Sequence, residues 1–177
     1  MQKTHPATWS EKDLLDACKI TFSRASGPGG QNRNKVETSV ELEFANSGIH
    51  AHASERRTQI ENRKVALMRL RCKLAVAYEM NPADASATLA SNEREPSELW
   101  LRYCQKGLVN ISENNDDWPS LLAELMSALR AVDWDLAQAA EQLQTSSSQL
   151  FKTLRKYPPA ALRLNEERKK RGKKELS

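Results

Sequence analysis

One stretch limits what this chain can become: Ser23-Arg24-Ala25-Ser26-Gly27-Pro28-Gly29-Gly30-Gln31-Asn32-Arg33-Asn34-Lys35. Three glycines and a proline fill four consecutive positions, a glutamine stands at the tip, and basic residues flank it. Ahead of it, Cys18 to Phe22 alternates in polarity; behind it, Val36, Thr38, Val40, Leu42 and Phe44 share one face of an extended run. Period-two alternation on both flanks predicts two strands joined by a long excursion. The excursion is too long for a tight hairpin and too rich in glycine to pack as core. Gly29-Gly30 supplies backbone that reaches positive φ and approaches another molecule closely, because no Cβ intervenes. Gln31 carries a neutral amide, which donates and accepts hydrogen bonds but is no acid or base near neutral pH. Arg24, Arg33 and Lys35 beside such a tip point to a partner made of phosphates.

The rest of the chain predicts an α+β protein. Ser10 is a candidate N-cap for a short turn through Leu14-Leu15 in an otherwise polar lead-in. Strands are expected at 18–24, 36–44 and 48–53, the last two joined by Asn46-Ser47-Gly48. A helix from Ser54 to Glu79 places Ile60, Leu67, Leu70, Leu74 and Ala77 inward and leaves Arg56, Arg57, Arg63, Lys64, Arg69, Arg71 and Lys73 for solvent or RNA. Asn81-Pro82 stops it, and residues 81–117 read as a linker with a short helix at Ser97–Lys106 ended by Gly107. Trp100 and Tyr103 on that helix read as core rather than base-stacking residues.

Residues 118–158 read as an all-α unit. Its first helix carries Leu121, Leu122, Leu125, Met126 and Leu129; helices at Asp135–Leu143 and Ser146–Tyr157 follow, and Pro158-Pro159 closes the unit. The last pair is similar to a Fis-type helix-turn-helix, with Gln144 where the turn usually has glycine. A plain three-helix bundle remains the alternative. In that motif the N-terminal residues of the last helix, here Ser147, Ser148 and Gln149, lead into a nucleic-acid groove, with Lys152, Arg155 and Lys156 on phosphates. Residues 159–177, with Arg168, Lys169, Lys170, Arg171, Lys173 and Lys174, read as a basic, disordered polyanion-binding tail.

Charge follows the same partition. Residues 1–80 carry 13 basic and 9 acidic side chains, residues 81–145 carry 4 and 11, and residues 146–177 carry 10 and 3. Two basic ends around an acidic middle suggest two polyanion contacts. The three cysteines, at 18, 72 and 104, are far apart and read as small buried apolar residues rather than a disulfide framework or zinc ribbon. His50 and His52 share a strand face without an evident third ligand, so neither a metal nor a cofactor is expected. With no apolar run of membrane-spanning length and an acidic N-terminal stretch unlike a leader, the chain is expected to be cytoplasmic, away from membranes, and a monomer.

Gly27-Pro28-Gly29-Gly30-Gln31 with Asn34-Lys35, followed by Gly48-Ile49, Arg57-Thr58-Gln59 and Asn62, resembles the GGQ domain of class I peptide chain release factors and ribosome-rescue peptidyl-tRNA hydrolases. The resemblance covers about residues 17–78, and the combination is far more specific than a bare Gly-Gly-Gln. Arg33 departs from it, standing where the family usually has an aliphatic residue. The resemblance implies hydrolysis of the peptidyl-tRNA ester inside the ribosome, with large-subunit rRNA and peptidyl-tRNA as partners. Gly29, Gly30 and Gln31 would be the catalytic residues; Arg24, Arg33, Asn34, Lys35, Arg57 and Gln59 would meet RNA or steer the loop base. The rescue hydrolases also end in a basic tail that probes the mRNA channel. The loop begins at Ser23, which leaves no room upstream for a codon-reading domain, so release without a stop codon is expected. A non-catalytic ribosome- or RNA-binding factor, or a DNA-binding regulator acting through the C-terminal helices, are the competing readings.

Overall fold

Apolar alternation at Val40, Leu42 and Phe44 builds the centre of a three-stranded antiparallel sheet. In the computed structural model, which describes residues 4–24, 36–45, 47–79 and 95–176, the chain forms two units, Thr4–Tyr78 and Glu79–Ser177. The fold is α+β. The glycine-rich excursion, with Gly29, Gly30, Gln31, Arg33, Asn34 and Lys35, lies outside the described residues, as do residues 80–94.

The sheet order is β1 (Cys18–Ser23), β2 (Ser39–Phe44), β3 (His50–Ala53), with Ser23 opposite Ser39 and Val40 opposite Ala53. The second strand starts three residues later than expected. The Thr38 amide closes a tight turn on the Val36 carbonyl at 3.0 Å, and the Glu37 and Thr38 carbonyls bond to side chains instead of a strand. Gly48, at φ +70°, turns the chain into β3.

α1 (Glu11–Asp16) is capped by the Ser10 hydroxyl, which accepts from the Asp13 amide at 3.1 Å. The lead-in is less polar in use than in composition. A 3-10 turn at Pro6–Thr8 buries Ala7, and the Arg71 guanidinium holds it by donating to the Ala7 and Trp9 carbonyls at 2.9 and 2.6 Å. Tyr78 meets His5 and Phe44 edge-on at 5.7 and 5.6 Å.

α2 (Gln59–Ala77) lies against β2 and β3 and buries Ala66, Leu67, Leu70 and Leu74. Each buried leucine contributes roughly 1.5–3 kcal/mol. The helix begins five residues later than the apolar spacing suggests, because Thr58 and Glu61 form a capping box. Two residues expected inside are outside: Ile60 is 64% exposed, and Ala77 faces solvent. Asn62, fully buried, turns to the sheet in Ile60's place. Arg69, Arg71 and Lys73, expected to face solvent or RNA, also donate to backbone carbonyls of His52, Ala7, Trp9 and His50; Arg69 and Lys73 stay exposed, whereas Arg71 is half-buried.

In the second unit, α3 (Glu98–Tyr103) leads into a hairpin of β4 (Cys104–Gln105) and β5 (Leu108–Val109). Gly107, expected to end a helix, instead forms the hairpin turn with Lys106, at φ 76° and 51° respectively. Trp100 is fully buried, as core, and its indole N–H donates to the Leu143 carbonyl at 2.8 Å. α4 (Trp118–Ala131) buries Leu121, Leu122, Leu125, Met126 and Leu129. It ends on Asp133 and Trp134, both left-handed, with the Trp134 amide on the Leu129 carbonyl at 2.7 Å. The buried Trp134 ring, flanked by the Arg130 and Arg163 guanidiniums at 5.9 and 5.8 Å, offsets that strain.

α5 (Leu136–Gln142) and α6 (Ser147–Leu154) pack together, and Gln144 between them takes φ 51°, the conformation a turn glycine would supply. That costs about 1–2 kcal/mol for a residue with a Cβ. The Trp100 bond to Leu143 and a Thr145 hydroxyl bond to the Gly107 carbonyl (2.7 Å) hold it there.

The C-terminal segment departs most from expectation. Pro158-Pro159 opens a helix, α7 (Pro158–Lys170), because a proline at the first helical position loses no needed N–H. The expected disordered arm is thus a helix with Ala160 and Leu164 fully buried. Asn165 closes the end with a reciprocal amide pair to Leu176, both bonds 2.9 Å. No helix among the described residues is long and apolar enough to cross a membrane.

Candidate functional site

The described structure brings the chain to both ends of the excursion. β1 delivers Ser23 and an exposed Arg24; the chain resumes at Val36, and Glu37 and Thr38 lead into β2. What fixes this base is the first turn of α2. The capping box places Gln59 and Asn62 three apart, on one helical face. The Gln59 side-chain amide donates to the Glu37 carbonyl at 3.0 Å, and the Asn62 amide donates to the Thr38 carbonyl at 2.7 Å.

Asn62 does more than hold one carbonyl. Its Nδ2 also donates to the Arg56 carbonyl at 3.1 Å, and its Oδ1 accepts from the Arg56 amide at 2.9 Å. One buried amide thus joins the run after β3, the helix start and the strand beyond the excursion. A neutral group suits this position, since a buried charge would need its own partner. The Thr58 hydroxyl and then its amide bond to Glu61 and hold that carboxyl below its ordinary range, so the cap is anionic at neutral pH.

Around this base the surface is mixed. Phe22, Val36 and Ile60 are exposed at 42%, 53% and 64%, although they are large and apolar. Arg56 and Arg57 are exposed beside them. Arg57 makes no hydrogen bond among the described residues; its charge acts on Glu61. Of the two residues expected to steer the base, Gln59 bonds to it, and Arg57 makes no such bond among the described residues. Ser39 and His52 share a short hydrogen bond, Oγ to Nε2 at 2.6 Å, next to the base. His50 and His52 are both exposed on β3, and no group of three or more His, Cys, Asp or Glu among the described residues is placed to hold a metal.

Two contributors escaped sequence reasoning. Asn62 belongs to the motif quoted for the resemblance, yet its part as the central amide was not legible; the Thr58-x-x-Glu61 capping box, which fixes the helix start, was the signal available. The Ser39–His52 pair had none, because it depends on strand register.

The predicted RNA contacts of the second unit fall into two groups. Lys156 donates to the Ile111 carbonyl, Arg168 to the Lys174 carbonyl at 3.0 Å, and Lys170 and Arg171 to the buried Glu167 at 2.7 Å. Arg171 also pairs with Asp133 at 2.7 Å and Lys173 with Asp135 at 3.1 Å. Lys152, Arg155, Lys169 and Lys174 are exposed, and their side chains make no hydrogen bond or ion pair among the described residues. Burial pushes the Cys18 thiol to about 11 and that of Cys72 to about 12, so neither is a ready nucleophile. Cys72 and Cys104 are buried as expected, whereas Cys18 is half-buried.

The same stretch of sequence is similar to known proteins. The chain is 47% identical over 69 residues to the peptide chain release factor PrfB1, chloroplastic, of Arabidopsis thaliana, which covers 39% of this chain and 14% of that protein. It is 41% identical over 84 residues to peptide chain release factor 1 of Chlorobaculum tepidum, covering 48% and 22%, and 37% identical over 93 residues to that of Ureaplasma parvum, covering 49% and 26%. The chain thus spans about a quarter or less of the length of these curated relatives. No solved structure matches. The family model described as the RF-1 domain matches residues 13–103, from α1 through the sheet and α2 to the end of α3, and with just over half of its length so matched the chain belongs to the RF-1 domain family.

Proposed function

We propose that this chain hydrolyses the ester joining a nascent peptide to tRNA, within the ribosome, and that it does so without a stop codon. The observation that carries the reading is the pairing of a Gly29-Gly30-Gln31 tip, inside the matched region, with a loop base held by the buried Asn62 amide and by Gln59. A rigid base lets a loop be presented in one place, which matters because positioning supplies much of the rate when water and ester are brought together.

In this reading Gly29 and Gly30 let the backbone enter a cavity made by ribosomal RNA. The Gln31 backbone N–H donates to the oxyanion that forms as water adds to the ester carbonyl, or to the departing ribose oxygen. Its side-chain amide orients the water. The carbonyl carbon gains a bond to the water oxygen and loses its bond to the ribose oxygen, which leaves as the hydroxyl. An aimed donor of this kind is worth roughly 10²–10³ in rate. Arg24, Arg33, Lys35 and Arg57 supply charge toward RNA phosphates. The codon independence rests on the resemblance to rescue hydrolases, which also end in a basic segment; here Lys169 and Lys174 are the exposed cations of that segment whose side chains make no bond among the described residues.

The test is release of a labelled peptide from ribosomes carrying peptidyl-tRNA, on messages with and without a stop codon in the open site. Release is expected on both, and Gly29→Ala or Gly30→Ala should lower it by roughly 10²-fold or more while ribosome co-sedimentation persists. Binding without release on either message would make the chain a non-catalytic factor. Release confined to the stop-codon message would remove only the codon independence.

A further inference from the structure

The C-terminal cations are not equivalent: several are consumed by the fold, and of those left exposed Lys152 and Arg155 share one helix face, whereas Lys169 lies on α7 and Lys174 beyond its end. Lys156, Lys170, Arg171 and Lys173 are held by carbonyls or carboxylates of their own unit. Lys152 and Arg155 are exposed and make no such bond among the described residues, and with Ser148 they fall at i, i+4 and i+7 on one face of α6 and its C-cap. Lys106, at the hairpin tip, is likewise exposed and unbonded. Its neighbour Gly107 accepts from Thr145, the residue before α6's Ser146 cap, so the tip is tied to the start of that helix.

We infer that this face of α6, with the adjoining hairpin tip, binds the phosphate backbone of structured RNA. Its scaffold is fixed in advance: the left-handed Gln144 turn is pinned through Leu143 and Thr145, so binding orders little beyond the three cationic side chains. The face offers cations and a hydroxyl, while Gln149, the nearest amide reader, is half-buried; such a set contacts phosphates rather than base edges. Phe151 is also half-buried, which leaves this helix face without an exposed platform for stacking unpaired bases. A duplex or folded RNA is therefore favoured over a single strand. The choice of RNA over DNA rests on the release reading above.

The test uses the full chain and fluorescence anisotropy with a labelled RNA hairpin and a DNA duplex of the same sequence. Lys152→Glu/Arg155→Glu should weaken hairpin binding about tenfold or more and lower the salt slope by about two. Lys169→Glu/Lys174→Glu, in the C-terminal segment, should weaken it by much less. Both pairs are exposed, and matching thermal melts confirm folding; Lys152→Gln/Arg155→Gln should show the same direction with a smaller loss. Unchanged affinity of the α6 variants, an equal or greater loss in the C-terminal variant, or tighter binding to the DNA duplex would each overturn the inference. Anisotropy does not depend on catalysis, so failure of wild-type release would sink the proposed reaction without altering the variant comparison.

Discussion

Residues 37–62 and residues 133–173 are both places where distant stretches of chain are tied together, and they use opposite chemistry. At the excursion's base the ties are neutral: Asn62 and Gln59 amides on the carbonyls of Thr38, Glu37 and Arg56. At the C-terminus they are ionic: Glu167, buried, between Lys170, Arg171 and Arg163, with Asp133 and Asp135 taking Arg171 and Lys173. Amides hold their geometry across pH and salt, as suits the base of a long loop. Ion pairs respond to both. They also occupy cations that the sequence alone offers to RNA.

The largest effect should come from Asn62. Asn62→Ala leaves the Arg56 amide and the Thr38 and Arg56 carbonyls without their partner, and should destabilise the sheet unit by about 2–3 kcal/mol. Asn62→Asp should be worse, since a carboxylate accepts but cannot donate. Denaturant-dependent hydrogen exchange at the amides of β2 and β3 checks both. A loss in Asn62→Asp no larger than in Asn62→Ala would break the view that donation is what the site needs.

Glu167→Gln should cost the helical unit about 1–2 kcal/mol at neutral pH, allowing for solvent around its partners. Its acid behaviour sharpens the contrast. Lys170 and Arg171 hydrogen bonds lower the Glu167 carboxyl from 4.5 to about 2. A group depressed in the folded state adds stability above its unfolded pKa and loses it as pH falls, here between about 4.5 and 2. Asp133 and Asp135 are lowered too, by Arg171 and by the Gln138 amide with Lys173, and act in the same direction. Hydrogen exchange resolved by unit should show α7 loosening through that window in the wild type and less steeply in Glu167→Gln. Identical profiles would remove the ionic clamp.

Gln59→Ala is the smaller probe of the first region. Its one exposed bond to Glu37 should be worth about 0.5–1 kcal/mol, and under the proposed function peptide release should fall more than stability because the base loosens. Smallest of all, raising salt to about 1 M should weaken α7 protection by a few tenths of a kcal/mol and leave amide protection at Thr38 and Arg56 unchanged.

The α+β class and the strands flanking the excursion were legible because alternating residues such as Val40, Leu42 and Phe44 leave a period-two trace. Ser10 as a cap was legible for a similar local reason. The start of α2 was misplaced because the arginine-rich run at 55–57 suits helix or loop equally, and only the Thr58–Glu61 box decides. Gly107 and Pro158-Pro159 were read as terminators from their general habits, whereas one makes a hairpin turn and the others open a helix. The basic C-terminus looked like a free arm because its acidic partners Asp133 and Asp135 lie far back in the chain.

Local chemistry alone determined the family resemblance, the glycine tip and the two strands, because backbone freedom and side-chain alternation are written over a few adjacent residues. Which amide would be buried at the loop's base, which cations would be consumed and which left exposed depended on register and packing between segments far apart in sequence. Hydrogen bonds and ion pairs form between groups the fold brings within about 3 Å, and no local pattern records that distance.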